Sequence, residues 1–263
     1  MFLETIMTHK LDEVARLKLN RPLGKVRAAA ESASPPLDFV RAVRRPESPA
    51  NARPRLIAEV KCASPSRGVL VKDFDPLRLA GLYQQNGAAA ISVLTDERFF
   101  QGRLEYLSQI ASLSPRLPVL RKDFILDAYQ VYEARAAGAD AVLLITACLE
   151  PAQLRDLHTL ARELGLAPLV EVHNEAELES ALTCQPVLLG FNNRDLHTFV
   201  TRLEVCLGLR SLLPAGITAV AESGIHTRAD VDRLAQAGMD AILVGEALVT
   251  APDVAAAVRS LAA

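Results

Sequence analysis

Short apolar runs recur along the chain from residue 56 onward, at 56–60, 88–94, 119–120, 141–145, 169–172, 187–191, 218–221 and 241–244. None alternates apolar with polar residues, so each predicts a strand covered on both faces, as in a parallel sheet. Loop signals precede nearly all of them, among them Asn86-Gly87, Pro115 and Pro118, Gly138-Ala139-Asp140, Gly165, Pro186, Pro214 with Gly216, and Gly238-Met239-Asp240. Between the runs, helical patterns cover 129–137, 151–164, 175–182 and 228–237. Asp127, Asn174 and Thr227, the last with Asp230 three residues on, predict three of the N-caps. Eight strand–helix repeats fit a single closed (β/α)8 TIM barrel of the α/β class better than an open doubly wound sheet. The open sheet would be expected to carry GxGxxG after its first strand, where this chain reads Lys61-Cys62-Ala63-Ser64-Pro65-Ser66-Arg67-Gly68.

The first 54 residues have a different texture. Ile6, Met7, Leu11, Val14 and Leu17 fall at helical spacing and predict an amphipathic first helix within 1–20. Residues 32–54 are rich in Pro, Ser and Arg and predict a connector around one short helix at 37–43. The expected division is therefore an extension over 1–54 and a barrel over 55–263.

Composition narrows the functional classes. With 29 basic against 31 acidic side chains and a net charge of -2, nothing predicts a nucleic-acid or anionic-membrane partner. No apolar run reaches the roughly 18–20 residues of a membrane span. Glu4, Lys10, Asp12, Glu13, Arg16 and Lys18 make the N-terminus unlike a signal or transit peptide. Cys62, Cys148, Cys184 and Cys206 form no CxxC pair and read as reduced thiols in a cytoplasmic protein.

In such a barrel the loops after the strands converge on one mouth, where chemistry is built. Here the first strand ends Glu59-Val60-Lys61, the third Arg121-Lys122-Asp123 and the fifth Glu171-Val172-His173. The sixth ends Asn192-Asn193-Arg194-Asp195, the seventh Glu222-Ser223-Gly224 and the eighth Gly245-Glu246. Strand period puts Glu59 and Lys61 on one side, and likewise Glu171 and His173. Any one of these could be a solvated cap, but six polar ends at one mouth predict an active site. Lys61, Lys122, Glu59, Glu171 and Glu222 form an acid–base set, expected to shift toward neutrality as burial and neighbouring charges act. The small residues after the seventh and eighth strands suit a phosphate site, with Arg194 and Lys61 as countercharges. The histidines (His9, His158, His173, His197, His226) are scattered, so no metal site is expected, and His173 reads as a packed or supporting residue. On residue type alone a Schiff-base lysine stays open.

Several blocks closely resemble the indole-3-glycerol phosphate synthases of tryptophan biosynthesis. They are Glu59-x-Lys61-x-x-Ser64-Pro65-Ser66, residues 92–97 with Phe99-Phe100-Gln101-Gly102, Leu120-Arg121-Lys122-Asp123-Phe124-Ile125, residues 169–173, 192–196 and 221–225. The resemblance runs the length of the chain. It implies a (β/α)8 barrel with an N-terminal extension packed over the mouth. It also implies 1-(2-carboxyphenylamino)-1-deoxyribulose 5-phosphate as substrate, with no cofactor. By position, Lys122 matches the general acid at the substrate ketone and Glu171 the acid–base group of the dehydration. Lys61 matches a lysine that contacts the substrate anions, Glu59 the residue orienting it, and Asn192 an amide holding a substrate hydroxyl. Arg194, Glu222, Ser223, Gly224, Gly245 and Glu246 match positions around the phosphate and mouth. Ser64 and Ser66 fall in the first loop, and Phe100 and Phe124 match aromatics of the anthranilate pocket. Arg103 and Phe191 depart from the family's usual Ser and aliphatic residue.

The rival readings are a sugar-phosphate isomerase, epimerase or class I aldolase on a similar barrel, and a barrel that binds a phosphorylated ligand without turnover. The expected partner is a small phosphorylated substrate, and the expected assembly a monomer or weak homo-oligomer.

Overall fold

The computed structural model describes residues 2–46, 53–196 and 198–262. Met1, residues 47–52 of the expected connector, His197 and Ala263 lie outside the described residues.

Eight parallel strands close into a barrel in which each pairs with its neighbours in sequence and the last returns to the first. They are β1 (Arg55–Val60), β2 (Ala90–Leu94), β3 (Val119–Lys122), β4 (Ala141–Ile145), β5 (Ala167–Val172), β6 (Leu188–Asn192), β7 (Thr218–Glu222) and β8 (Ala241–Val244). Each expected apolar run holds one strand, and nearly every strand residue is buried, as two covered faces require. Phe191, in β6, is wholly buried and packs in the core just below Asn192.

The helices up to residue 249 are α1 (Phe2–Asn20), α2 (Leu23–Ser32), α3 (Phe39–Val43), α4 (Pro76–Gln85), α5 (Glu97–Phe100), α6 (Leu104–Ala111), α7 (Ala128–Ala136), α8 (Pro151–Glu163), α9 (Glu175–Leu182), α10 (Glu204–Arg210), α11 (Arg228–Gln236) and α12 (Glu246–Val249). The expected caps form: Asp127, Asn174 and Thr227 each accept a hydrogen bond from the first turn of their helix, and Asp230 completes a capping box with Thr227. A short antiparallel hairpin, Ala63–Ser64 against Gly68–Val69, shapes the loop after β1. No helix among the described residues is long and apolar enough to cross a membrane.

The N-terminal segment wraps the barrel from one end to the other. Phe2, Leu3 and Ile6 of α1 reach into the mouth. Val14, Val26 and Tyr129 then pack α1 and α2 against α7, and the Tyr129 hydroxyl donates to the Arg21 carbonyl at 3.1 Å. At the opposite end, α3 buries Phe39 and Val43. There the Leu37 amide donates to Asp140 at 2.6 Å, ahead of β4, and Arg44 bonds Thr218 at the start of β7. So only α1 covers the mouth; α2 runs down the side and α3 lies under the other end.

The expected apolar face of α1 forms at Ile6, Met7, Val14 and Leu17, with one exception. Leu11, placed on the apolar face by periodicity, is exposed, while Leu3, Ile6, Lys10 and Val14 face inward. Lys10 takes the inward position because two buried carboxylates, Asp96 and Asp123, meet it there at 2.8 and 3.0 Å.

Candidate active site

One cavity of about 360 Å³ occupies the barrel mouth. Its wall gathers residues from the ends of all eight strands and from α1, including Glu59, Lys61, Lys122, Glu171, Asn192, Arg194, Ser223, Gly224, Gly245, Glu246, Phe100 and Phe124. Twelve of the fifteen positions expected from sequence therefore share one space. Glu222 lies beneath the wall, fully buried, and acts on the site through Lys122. Ser64 and Ser66 do not line the cavity: Ser64 is buried in the hairpin with its hydroxyl unpartnered, and Ser66 is exposed.

The floor is a chain of alternating charge. Lys61 Nζ stands 3.2 Å from Glu59 Oε1, and Glu59 Oε2 is 3.4 Å from Lys122 Nζ. The Lys122 ammonium in turn donates to Glu222 Oε2 at 2.9 Å. Two glycines make room for this arrangement. A Cβ at Gly245 would sit 2.1 Å from Glu59 Oε1, and one at Gly190 would sit 2.3 Å from Glu222 Oε1.

The charge states correct one expectation. Burial favours loss of the Lys122 proton, but Glu222, Glu59 and Glu171 outweigh it and hold the lysine above its ordinary value. Burial likewise favours a neutral Glu59, yet Lys61 and Lys122 keep it below the usual carboxylate range. Against burial, His173, Lys122 and Asn192 bring Glu171 down to about 2. Glu222 alone moves toward neutrality: burial raises it, Lys122 opposes, Glu171 adds to the rise, and the result is about 7. The sequence could not show this, because the deciding charges come from different strands.

At the other side of the mouth, Asn193 ties two loops together. Its amide donates to the Ser223 carbonyl at 3.0 Å and its oxygen accepts from the Cys206 amide at 3.0 Å. Ser223 and Gly224 both take left-handed backbone conformations, φ 66° and 72°. Arg194, half-buried, has an Nε without a hydrogen-bond partner among the described residues. Glu246 accepts from Arg67 at 2.8 Å, carrying the first loop across the mouth. The apolar side holds Phe100 and Phe124, rings 6.3 Å apart, with Lys61 Nζ 5.8 Å from the Phe100 centroid.

Sequence reasoning assigns no role to Phe2, Leu3, Ile6, Arg67, Asp96 or Asp123, all of which line the cavity. Asp96 and Asp123 carried a signal, Asp123 directly after β3 and Asp96 two residues after the end of β2. For the α1 residues the resemblance placed the extension over the mouth, but no pattern within the helix singled out Phe2, Leu3 or Ile6 as lining it. Among the described residues, no group of three or more His, Cys, Asp or Glu is placed to hold a metal ion.

The sequence profile of the indole-3-glycerol phosphate synthase family matches residues 3–261. The chain belongs to that family. The indole-3-glycerol phosphate synthase of Roseiflexus castenholzii is 53% identical over 98% of this chain and 97% of its own length. That of Dehalococcoides mccartyi is 48% identical over 99% of this chain and 100% of its own. Among solved structures, 3-hexulose-6-phosphate synthase from Salmonella typhimurium superposes with a TM-score of 0.64 at 15% identity, covering 79% of this chain and 96% of that one. That similarity is one of fold alone. As a member of the synthase family, the chain is a carboxy-lyase of tryptophan biosynthesis acting on a phosphorylated small molecule.

Proposed function

We propose that this chain closes the indole ring of 1-(2-carboxyphenylamino)-1-deoxyribulose 5-phosphate, releasing CO2 and water to leave indole-3-glycerol phosphate. The observation that carries the residue assignment is the Lys122 ammonium, held charged among Glu59, Glu171 and Glu222 at the floor of the mouth.

Attack of the anthranilate ring carbon on the ketone puts negative charge on the ketone oxygen. Lys122 stabilises that charge and supplies its proton, in a cavity from which the rings and α1 exclude water. Loss of CO2 then restores the aromatic ring. In the dehydration, Glu171, held ionised, takes a proton from the former methylene carbon beside the nitrogen, and a proton returned to the departing hydroxyl lets it leave as water. Lys61 contacts the substrate anions and is steadied by Glu59; Asn192 holds a hydroxyl. The phosphate lies against Ser223, Gly224, Gly245 and Arg194, with Glu246 beside them fixing Arg67. Phe100 and Phe124 flank the aromatic ring. Ser64 and Ser66 enter only if the first loop moves on binding.

A Schiff-base aldolase needs a free amine, and carboxylates that keep Lys122 protonated work against one. We also propose that residues 55–263 form the catalytic barrel and 1–54 its extension. The protein is cytoplasmic, acts as a monomer or weak homo-oligomer, and has no nucleic-acid partner, consistent with its near-balanced charge. Stoichiometry tests the reaction: one CO2 and one indole-3-glycerol phosphate are expected per substrate consumed. Borohydride trapping of substrate on Lys61 or Lys122 would contradict it in favour of the aldolase.

A further inference from the structure

His173, at the end of β5, is not part of the acid–base set above. Strand period puts it on the same side as Glu171, and its ring lies between two carboxylates. Nδ1 is 2.9 Å from Glu177 Oε2, and Nε2 is 3.3 Å from Glu171 Oε1. The Nε2 atom is buried and makes no hydrogen bond among the described residues, so its contact with Glu171 is that of an ion pair. Glu177 cannot swing away easily. Its Oε2 also accepts from the His173 amide at 2.9 Å, its Oε1 accepts from the Asn174 side chain at 2.8 Å, and its own amide donates to Asn174.

We propose that His173 is a standing imidazolium clamp that keeps Glu171 ionised beside Glu222. A neutral imidazole has one N–H and one lone pair, and here the lone pair would face a carboxylate whichever tautomer formed. Only the doubly protonated ring suits both neighbours. Burial opposes the charge, but Glu171 and Glu177 prevail and raise the ring to about 10. The other titratable groups around the pair are consistent with this. Lys122 from β3 is a cation facing Glu171, and Glu222 from β7 is the acid that competes with it. The Cys148 thiol, from the turn after β4, is pushed up to about 12 by burial, Glu171 and Glu177 and stays neutral. Asn192 from β6 contributes a neutral amide.

His173 is thus a positioning residue whose catalytic consequence rests on the role proposed for Glu171, while its charge state does not. The first readout is the pair of ring 15N shifts in histidine-labelled protein, with His173 assigned by its loss in His173→Gln. Both nitrogens are expected at imidazolium positions from about pH 6 to about pH 9. In Glu177→Gln, which keeps the fold of the clamp but removes one carboxylate, the ring is expected to titrate within that range. A neutral His173 ring near pH 7.5 in the parent protein overturns the proposal whether or not the protein turns substrate over. The second readout is the kcat profile of His173→Gln, whose acid limb is expected to rise by about one pH unit, a tenfold change in proton affinity. An unmoved limb in an active variant overturns the control of Glu171. Absence of turnover in the parent protein overturns the proposed reaction, and the ring shifts then decide the clamp on their own.

Discussion

Glu222 meets Lys122 from below: its Oε2 lies 2.9 Å from the ammonium, while its Oε1 has no hydrogen-bond partner among the described residues and the side chain has no exposure to solvent. A carboxyl so placed serves no surface purpose. It fixes the lysine's direction and charge, and it exists only because Gly190 leaves space for it. The acid proposed for the site is therefore Lys122 together with the buried carboxyl under it.

Lys122→Ala should abolish ring closure while leaving substrate affinity largely intact, because the interaction lost is made mainly with charge that develops in the transition state. The expected fall in turnover is about 10²–10⁴-fold, the usual worth of a positioned acid. Calorimetric titration with substrate and steady-state rates check the two halves of the statement. Near-normal turnover contradicts it.

Glu171→Gln should act later. CO2 release is expected to proceed while indole formation lags by about 10²–10⁴-fold, so the two time courses separate in a single turnover. Superimposable traces would count against Glu171 as the base of the dehydration.

Stability should fall on the alkaline side. His173, raised from 6.5 to about 10, stabilises the fold fully below pH 6.5 and ceases to as pH rises through 10. Glu222, raised from 4.5 to about 7, has the same sign, its contribution being lost as pH rises through 7. Thermal midpoints are expected to decline from neutral to alkaline pH, and the decline above pH 8 should flatten in His173→Gln. An equal decline in that variant would contradict the assignment.

Lys10→Met should loosen the mouth. The substitution leaves Asp96 buried without its cation and takes one of two cations from Asp123, which keeps Arg121, a loss of about 3–5 kcal/mol for a broken buried pair. Since Phe2, Leu3 and Ile6 ride on the same helix, KM is expected to rise along with the loss of stability. Denaturant unfolding within about 0.5 kcal/mol of the parent would place Lys10 outside the load of the fold.

The barrel and most of its mouth were legible because their signals are local. An apolar run followed at once by Glu, Lys or Asn marks a strand end such as Glu171 or Asn192 without reference to anything distant. What was not legible depended on remote partners. The inward turn of Lys10 in place of Leu11 is set by Asp96 and Asp123, some ninety and more residues away. The charge held on Lys122 comes from β1, β5 and β7 together. The place of α3 under the far end of the barrel follows from Asp140 and Thr218, which no pattern within residues 37–43 discloses.

The chain contains no tryptophan and only four tyrosines, so its own emission leaves the indole region nearly dark. The most direct test mixes purified protein with the carboxyphenylamino-deoxyribulose phosphate, in EDTA, and follows indole fluorescence for the parent and for Lys122→Ala. A rise in the parent that the variant lacks is the predicted result. A flat trace from the parent, or an equal rise from both, would contradict the account of ring closure by Lys122.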